Sequence, residues 1–562
     1  MTWQKRRAMV ILVLVLVVVL AIWAMSSAPR IPAHSVLVLD ISGEIEEQRA
    51  ADVLSALDGK TPVLHDYVDA IDAARSDPKV TGLVVKIGPL ETGWGKLQEI
   101  RSHLMEFRAS RKPSICYLGG DGTGNPEYYL ATGCKEVWIV PTAPLLVRGM
   151  MAQATFLRGT LDKLKVVPDY YHIAEYKTAT NELTEKKFTP AHREEVDSLL
   201  HGIYHQYLTD VSSARSLARA DFETLVTQGP FSSDEAVKNH LVDRAAYWDQ
   251  LQQDFKDRDN GWNPVELGRY RQHLGEGVGM VRIAVIRASG LIVSGDSGNA
   301  PNGSFIMGGD SLAAELRHAR QDSSIKAIVL RIDSGGGSQV ASEVIRREVE
   351  LASKSKTLVV SMSDVAASGG YWIATPAARI VADPNTITGS IGVLIGKMNV
   401  SGLYAMLGMS TDSVATSDNA SLFSAQQSFT TAQRQWIEKT MQEVYSTFIH
   451  GVAADRHMTV EQVDRIGKGR VWTGTQAKDI GLVDELGGLD RAIAVARDLA
   501  HISANQSVHI INLPEEKSFF QLLLEKQVGG STQAATVEAI LRGVGVTNEP
   551  VQVRIPFDLK IR

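Results

Sequence analysis

Short apolar runs alternate with amphipathic stretches along most of this chain. AIVLRI at 327–332 and TLVVSM at 357–362 are rich in β-branched residues, whereas SEVIRREVELASKS at 342–355 carries apolar residues at helical spacing. Strand, helix, strand in that order predicts crossover units, and with them parallel sheets covered by helices. A longer helix is predicted from Thr430 to about Ala454, with Trp436, Met441, Val444 and Phe448 on its core-facing side.

The pattern occurs twice. SVLVLDISGEI from Ser35 matches RIAVIRASGLI from Arg282, and AARSDPKVTGLVVKI from Ala73 matches HARQDSSIKAIVLRI from His318. YYLATGCKEVWIVPTA from Tyr128 matches YWIATPAARIVADPNT from Tyr371, and NHLVD ending at Asp243 matches IGLVD ending at Asp484. The spacing between partners shrinks slowly along the chain, as it does when two copies of one fold lose loop residues at different places. Two tandem α/β repeats follow, 35–260 and 281–510, with the Gly-rich, unpatterned stretch 261–280 as a linker and 511–562 as a tail. FFQLLLEK and TVEAILRGV in that tail are amphipathic pieces expected to dock on the body or on a neighbouring subunit.

One run breaks the alternation. AMVILVLVLVVVLAIWAM, residues 8–25, carries no charge and approaches the roughly 20 residues a membrane-spanning helix needs. Lys5, Arg6 and Arg7 precede it and only Arg30 follows closely, so the positive-inside bias makes residues 1–7 a cytoplasmic stub. A cleaved leader is the rival reading, because Ser26, Ser27 and Ala28 are small, but the run exceeds the roughly 7–15 apolar residues of a leader. The expectation is one transmembrane anchor that tethers a soluble body.

Composition then removes some function classes. With 58 Lys+Arg against 64 Asp+Glu, the formal charge of −6 offers no basic footprint for nucleic acid. A chain with 44% apolar and 22% charged residues is globular, which excludes disordered and collagen-like classes. Cys116 and Cys134 are too few for a disulfide scaffold, and their spacing leaves open whether they pair.

Candidate chemistry gathers in the second copy. The strand AIVLRID runs into Ser334-Gly335-Gly336-Gly337-Ser338 and then a helix, a place where backbone N–H groups can meet an anion or an oxyanion. The next strand leads to Ser368-Gly369-Gly370 at the mouth of another helix, where a serine is either a cap or a nucleophile with an accessible hydroxyl. Glycine amides beside a serine are the two parts an acyl-transfer site requires. No histidine lies in these turns, and His201 with His205 lack the Glu of a zinc-protease helix. Gly309-Asp310-Ser311-Leu312 has the look of an esterase signature, but it opens a helix, so Asp310 or Ser311 reads as a cap.

VLRIDSGGGSQVASEVIR, SMSDVAASGGYWIATPA and NTITGSIGV resemble the signal peptide peptidase A family in its long, double-copy form, and more widely the Clp protease and crotonase superfamily. The resemblance implies Clp/crotonase-like repeats and a Ser-Lys peptidase anchored in the bacterial inner membrane, with its body on the periplasmic side. It also implies cleaved signal peptides and other apolar peptides as substrates, a homo-oligomer such as a tetramer, and no metal or organic cofactor. Ser368 takes the nucleophile's place, Lys177 in AEYKTATNELTEKKFTPAHRE the base's, and Gly336, Gly337 and Gly369 the oxyanion and substrate-binding places. Gly335 stands where that family usually has proline. A crotonase-like acyl-transfer enzyme and a non-catalytic membrane scaffold are the alternatives.

Aligning the repeats supports a shared site. Asn125 falls on Ser368, Pro126 and Glu127 fall on Gly369 and Gly370, and Asp418 falls on Lys177. Each copy keeps what the other lacks, which predicts one composite site between them.

Overall fold

Each repeat builds a parallel sheet from strands that are apolar on both faces, as strands covered by crossover helices must be. In the first, the order across the sheet is Arg244–Ala245, Glu136–Ile139, Ser114–Leu118, Val80–Leu90, Ser35–Gly43 and Asn263–Glu266, every neighbouring pair parallel. In the second, Glu485–Leu486, Arg379–Ala382, Thr357–Ala367, Ile325–Ser334, Val281–Ser289 and Val508–Leu513 repeat that order, again all parallel. The second sheet adds Ile387–Gly389 beside the end of Thr357–Ala367, and Val471–Thr473 antiparallel to it. The computed structural model describes residues 31–49, 61–120, 122–258, 261–274, 279, 281–300, 304–503, 505–514, 551–554 and 560–561. The apolar run 8–25 and the two amphipathic tail pieces lie outside the described residues. Among the described residues no helix is long and apolar enough to cross a membrane.

The strand-for-strand match corrects the linker. Within 261–280, Asn263–Glu266 is the last strand of the first sheet and helix Leu267–Leu274 buries Leu267 and Tyr270 on it. Its counterpart is Val508–Leu513, so the second repeat runs past 510 to Leu513. Sequence pattern hid the strand because it lies at the sheet edge, where only Val265 of its four residues turns inward.

Core residues line both faces of each sheet. In the first repeat Leu37, Leu39, Leu83, Val85 and Cys116 pack under helices Leu64–Ser76 and Trp94–Ala109, while Val36, Val84, Ile115 and Trp138 pack against Leu251 and Phe255. Cys116 and Cys134 are joined by a disulfide. The long helix spans Thr431–Asp455, with the Thr430 hydroxyl accepting from the Gln433 amide and the Gln433 side chain accepting from the Thr430 amide. Its buried stripe is Ile437, Met441, Tyr445, Phe448 and Val452, whereas Trp436 is 46% exposed and Val444 half-buried. Trp436 precedes Ile437 by one residue, a rotation of about 100° out of the stripe. Ser311 does not cap its helix, which starts after Gly308; its hydroxyl instead donates to Asp296 and accepts from the Ser297 amide.

The two repeats meet across a buried ion network. Arg331, fully buried in the second sheet, donates to Glu47 Oε1 at 2.7 Å and Glu99 Oε2 at 2.6 Å of the first repeat, and to Ser361 and Ser363 of its own. Glu47 also takes a hydrogen bond from Ser363 and pairs with Arg287 at 3.5 Å. Burial alone would raise the Glu47 carboxyl, but the charge and hydrogen bonds of Arg331 overcome it and hold Glu47 well below the usual carboxylate range. Removing one partner of such a network leaves buried charge without compensation. Arg331→Met is therefore expected to destabilise the chain by about 3–5 kcal/mol, read as a lower urea midpoint, with neutralisation of Glu47 and Glu99 restoring much of it.

Candidate active site

Ser368 occupies the N-cap position of helix Gly369–Ala374, yet its side chain makes no capping hydrogen bond. Its backbone sits at φ 59° and ψ −115°, a conformation costly for any residue with a Cβ and kept only where the surroundings enforce it. Enforcement comes from both ends: the Ser368 amide donates to the Gly389 carbonyl at 2.8 Å, and its own carbonyl accepts from the Trp372 amide at 2.8 Å. The hydroxyl is thus left for another partner.

That partner is Lys177. Strand Val167–His172 of the first repeat pairs antiparallel with Leu394–Asn399 of the second, so the chain just beyond it is carried onto the second repeat. The Tyr176 amide then donates to the Lys468 carbonyl at 3.1 Å. Gly469, at φ +83°, lets the backbones close up, since a Cβ there would lie 2.4 Å from the Lys177 nitrogen. Lys177 Nζ is hydrogen-bonded to Ser368 Oγ at 2.6 Å, to Ser390 Oγ at 3.0 Å and to the Ser390 carbonyl at 3.1 Å. Its side chain is wholly buried, and among the described residues no carboxylate lies within ion-pair distance of it. Burial therefore drives the Lys177 pKa well below that of a free lysine, opposed only by the more distant charge of Glu195.

Two of these neighbours were not among the residues expected from sequence. Ser390 lies in the quoted stretch NTITGSIGV, but no spacing in the chain ties it to Lys177, because the contact spans the two repeats. Glu195 is fully buried and accepts from Thr178 Oγ1 at 3.1 Å and from the Val471 amide at 2.7 Å, so it ties the residue after Lys177 to the second repeat. Burial pushes its carboxyl up to about 8.

The glycine turn abuts the serine turn. Strand Ile325–Ser334 passes through Gly335 into Gly336–Ser338 and then helix Gln339–Ser355. Gly336 and Gly337 sit at φ +95° and +155°, and a Cβ on Gly337 would lie 2.0 Å from the Ile292 carbonyl. A Cβ on Gly369 would stand 3.1 Å from Gly336 Cα and 3.3 Å from the Gly337 nitrogen, so the two turns touch. The Gly336 amide is taken up by Ser334 Oγ at 3.1 Å. That leaves Gly336 as a close-approach residue rather than a donor.

The peptidase family S49 model matches residues 106–260 and 350–503, once in each repeat. This chain belongs to peptidase family S49. It is 32% identical to the chloroplastic serine protease SPPA of Arabidopsis thaliana, over 94% of this chain and 78% of that protein. With Protease 4 of Salmonella typhi it shares 33% identity, over 90% of this chain and 84% of that protein. A solved structure of ClpP1 from Listeria monocytogenes aligns with 36% of this chain and 91% of its own, at 16% identity and a TM-score of 0.23. The chain is a serine peptidase, which sets aside the acyl-transfer and scaffold alternatives.

In this S49 peptidase the first repeat's equivalent of the serine turn is filled. Asn125 Oδ1 accepts from the Arg148 amide at 3.3 Å and the Tyr207 hydroxyl at 3.4 Å. The Glu127 carboxylate accepts from the Leu90 and Gly124 amides, both at 2.8 Å, and so occupies the donors an anion would need. Asp418, the counterpart of Lys177, lies in an exposed turn, and His201 and His205 are exposed on helix Pro190–Arg215. Among the described residues Asp72, His103 and Asp490 are spaced as a metal set could be, but Asp72 ion-pairs His103 at 2.9 Å. Although burial alone would lower the His103 pKa, that pairing raises it to about 9, and a protonated imidazole is no ligand. Asn125→Ser is expected to add no reactive serine, because Pro126 lacks an N–H and Glu127 already holds the local amides; mass-spectrometric mapping after fluorophosphonate treatment would find label at position 125 if this is wrong.

Proposed function

We propose that this peptidase works through a Ser-Lys dyad, with Ser368 as nucleophile and Lys177 as general base. The observation that carries the reading is the 2.6 Å hydrogen bond between the two side chains, both fully buried. A lysine kept neutral by burial takes the Ser368 proton as Oγ attacks a peptide carbonyl. Amides of Gly337 and Gly369 receive the oxyanion, Lys177 hands its proton to the leaving amine, and Lys177, neutral again, then takes a proton from the water that releases the acyl group. Ser390 orients the amine between these steps.

Substrates on this reading are extended apolar peptides, cleaved signal peptides among them. Supporting it, the backbone of Val551–Arg554 runs antiparallel between Gly336–Ser338 and Leu394–Ile395, the course an extended peptide would follow past the glycine turn. We place the protein in the bacterial inner membrane, held by residues 8–25, with Clp/crotonase-like repeats forming a periplasmic body that assembles as a homo-oligomer such as a tetramer. The Cys116–Cys134 disulfide suits an oxidising compartment.

Ser368→Ala is expected to abolish peptide hydrolysis and fluorophosphonate labelling while the fold is kept, and Lys177→Ala to reduce both by at least about a thousandfold, given the part a general base plays in activating a hydroxyl. Asp418→Ala should stay near wild type, and equal losses in the two variants would refute the composite dyad. The pH profile has a definite sign. Lys177 acts only when deprotonated, so kcat/KM should rise with pH through its lowered pKa and fall away on the acid side; full activity persisting below pH 5 would exclude a lysine base.

A further inference from the structure

The first repeat brings a second lysine towards the same two turns. Lys96, in the first turn of helix Trp94–Ala109, lies 2.8 Å from Asp333 Oδ2 and 3.5 Å from Asp364 Oδ2 of the second repeat. All three side chains are largely buried. Asp333 immediately precedes Ser334, whose hydroxyl holds the Gly336 amide, and Asp364 lies four residues before Ser368.

The strands carrying these carboxylates lose register at this place. Ile332 pairs with Met362, but Ser334 pairs with Ala366, so the segment 363–365 bulges out of the ladder just before the serine turn. A bulge leaves its strand short of ladder hydrogen bonds, and other groups must fix it. Asp333 Oδ1 accepts from the Val365 amide at 3.1 Å, within the bulge. Asp364 Oδ1 accepts from the Lys96 amide at 2.8 Å, at the start of a helix whose own N-cap, Gly93, has no side chain to offer. Gly93 and Gly95 permit this approach: a Cβ on Gly93 would fall 2.2 Å from Asp364 Cγ, and one on Gly95 2.9 Å from the Ser363 carbonyl.

We propose that Lys96 is a positioning residue for the peptidase site: its ammonium clamps Asp333 and Asp364 together and so sets the glycine turn and the serine turn at their working separation. Without it, two carboxylates would face each other in a poorly solvated bulge, with Glu46 and Glu47 also nearby, and their repulsion would push the turns apart. The effect passes through backbone, since Lys96 has no hydrogen bond to Ser368 or Lys177. This inference rests on Ser368 being the nucleophile, as proposed above.

The test uses the full chain and reads the rate of Ser368 labelling by a fluorophosphonate, kcat and KM on a peptide, and the urea midpoint. Lys96→Met is expected to slow labelling and kcat about tenfold or more while KM changes little, the signature of lost alignment rather than lost binding. Lys96→Arg should recover most of the rate, and adding Asp364→Asn to Lys96→Met should recover part of it by removing the repulsion. If Lys96→Met does not fold, Asp364→Asn decides: it keeps an oxygen for the Lys96 amide, weakens the clamp, and should slow labelling several-fold at an unchanged urea midpoint. Wild-type labelling rates in folded Lys96→Met, or in Asp364→Asn, would overturn the proposal. Failure of Ser368 to label in the wild-type protein would instead overturn the dyad on which it rests.

Discussion

Everything at the candidate site depends on the fixed docking of one repeat against the other, and that docking is set by charge buried between them. Arg331 reaches Glu47 and Glu99 across the interface with all three side chains buried, so the pairing is right only at one relative placement of the sheets. Apolar surface alone would have allowed sliding. Directional hydrogen bonds from one guanidinium to two carboxylates and two serine hydroxyls do not.

On that platform the two repeats differ at equivalent places. Strand Val167–His172 of the first repeat pairs with the second repeat and not with its own parallel sheet, and this pairing brings Lys177 against Ser390 and Ser368. The second repeat keeps its strained serine and its paired glycines. The first has closed its equivalent with Glu127, Asn125 and Tyr207, which satisfy the local amides and hydroxyl from within. A site made empty by duplication is an energetic liability, because unpaired amides would stay buried, and filling it with a carboxylate removes the liability.

Much of this was legible in the residues themselves. Strand and helix alternation located both sheets and the repeat stood in the residues, while Ser368 stood out at the mouth of a helix and Lys177 followed from the family resemblance, with the reciprocal loss of Ser and Lys between copies in support. What escaped has a common cause. Ser390, Glu195 and Lys96 owe their interest to contacts between residues far apart in the chain, and no local periodicity encodes such a contact. The edge strand Asn263–Glu266 was missed for a related reason: with one inward residue it has no pattern, and only its partner Ser35–Val38 defines it. Trp436 misled because a large apolar residue next to a buried stripe looks like part of it until the helix is wound.

The 191 residues that separate Lys177 from Ser368 have a consequence for the birth of the molecule. A ribosome releases the chain amino end first, so the repeat bearing the lysine is complete while the serine is still unmade. On the composite reading, a half-synthesised chain carries no working centre and cannot attack either itself or the nascent proteins beside it. On that reading competence would arrive only when the second repeat has folded onto the first, and the order of synthesis alone would keep the growing chain latent.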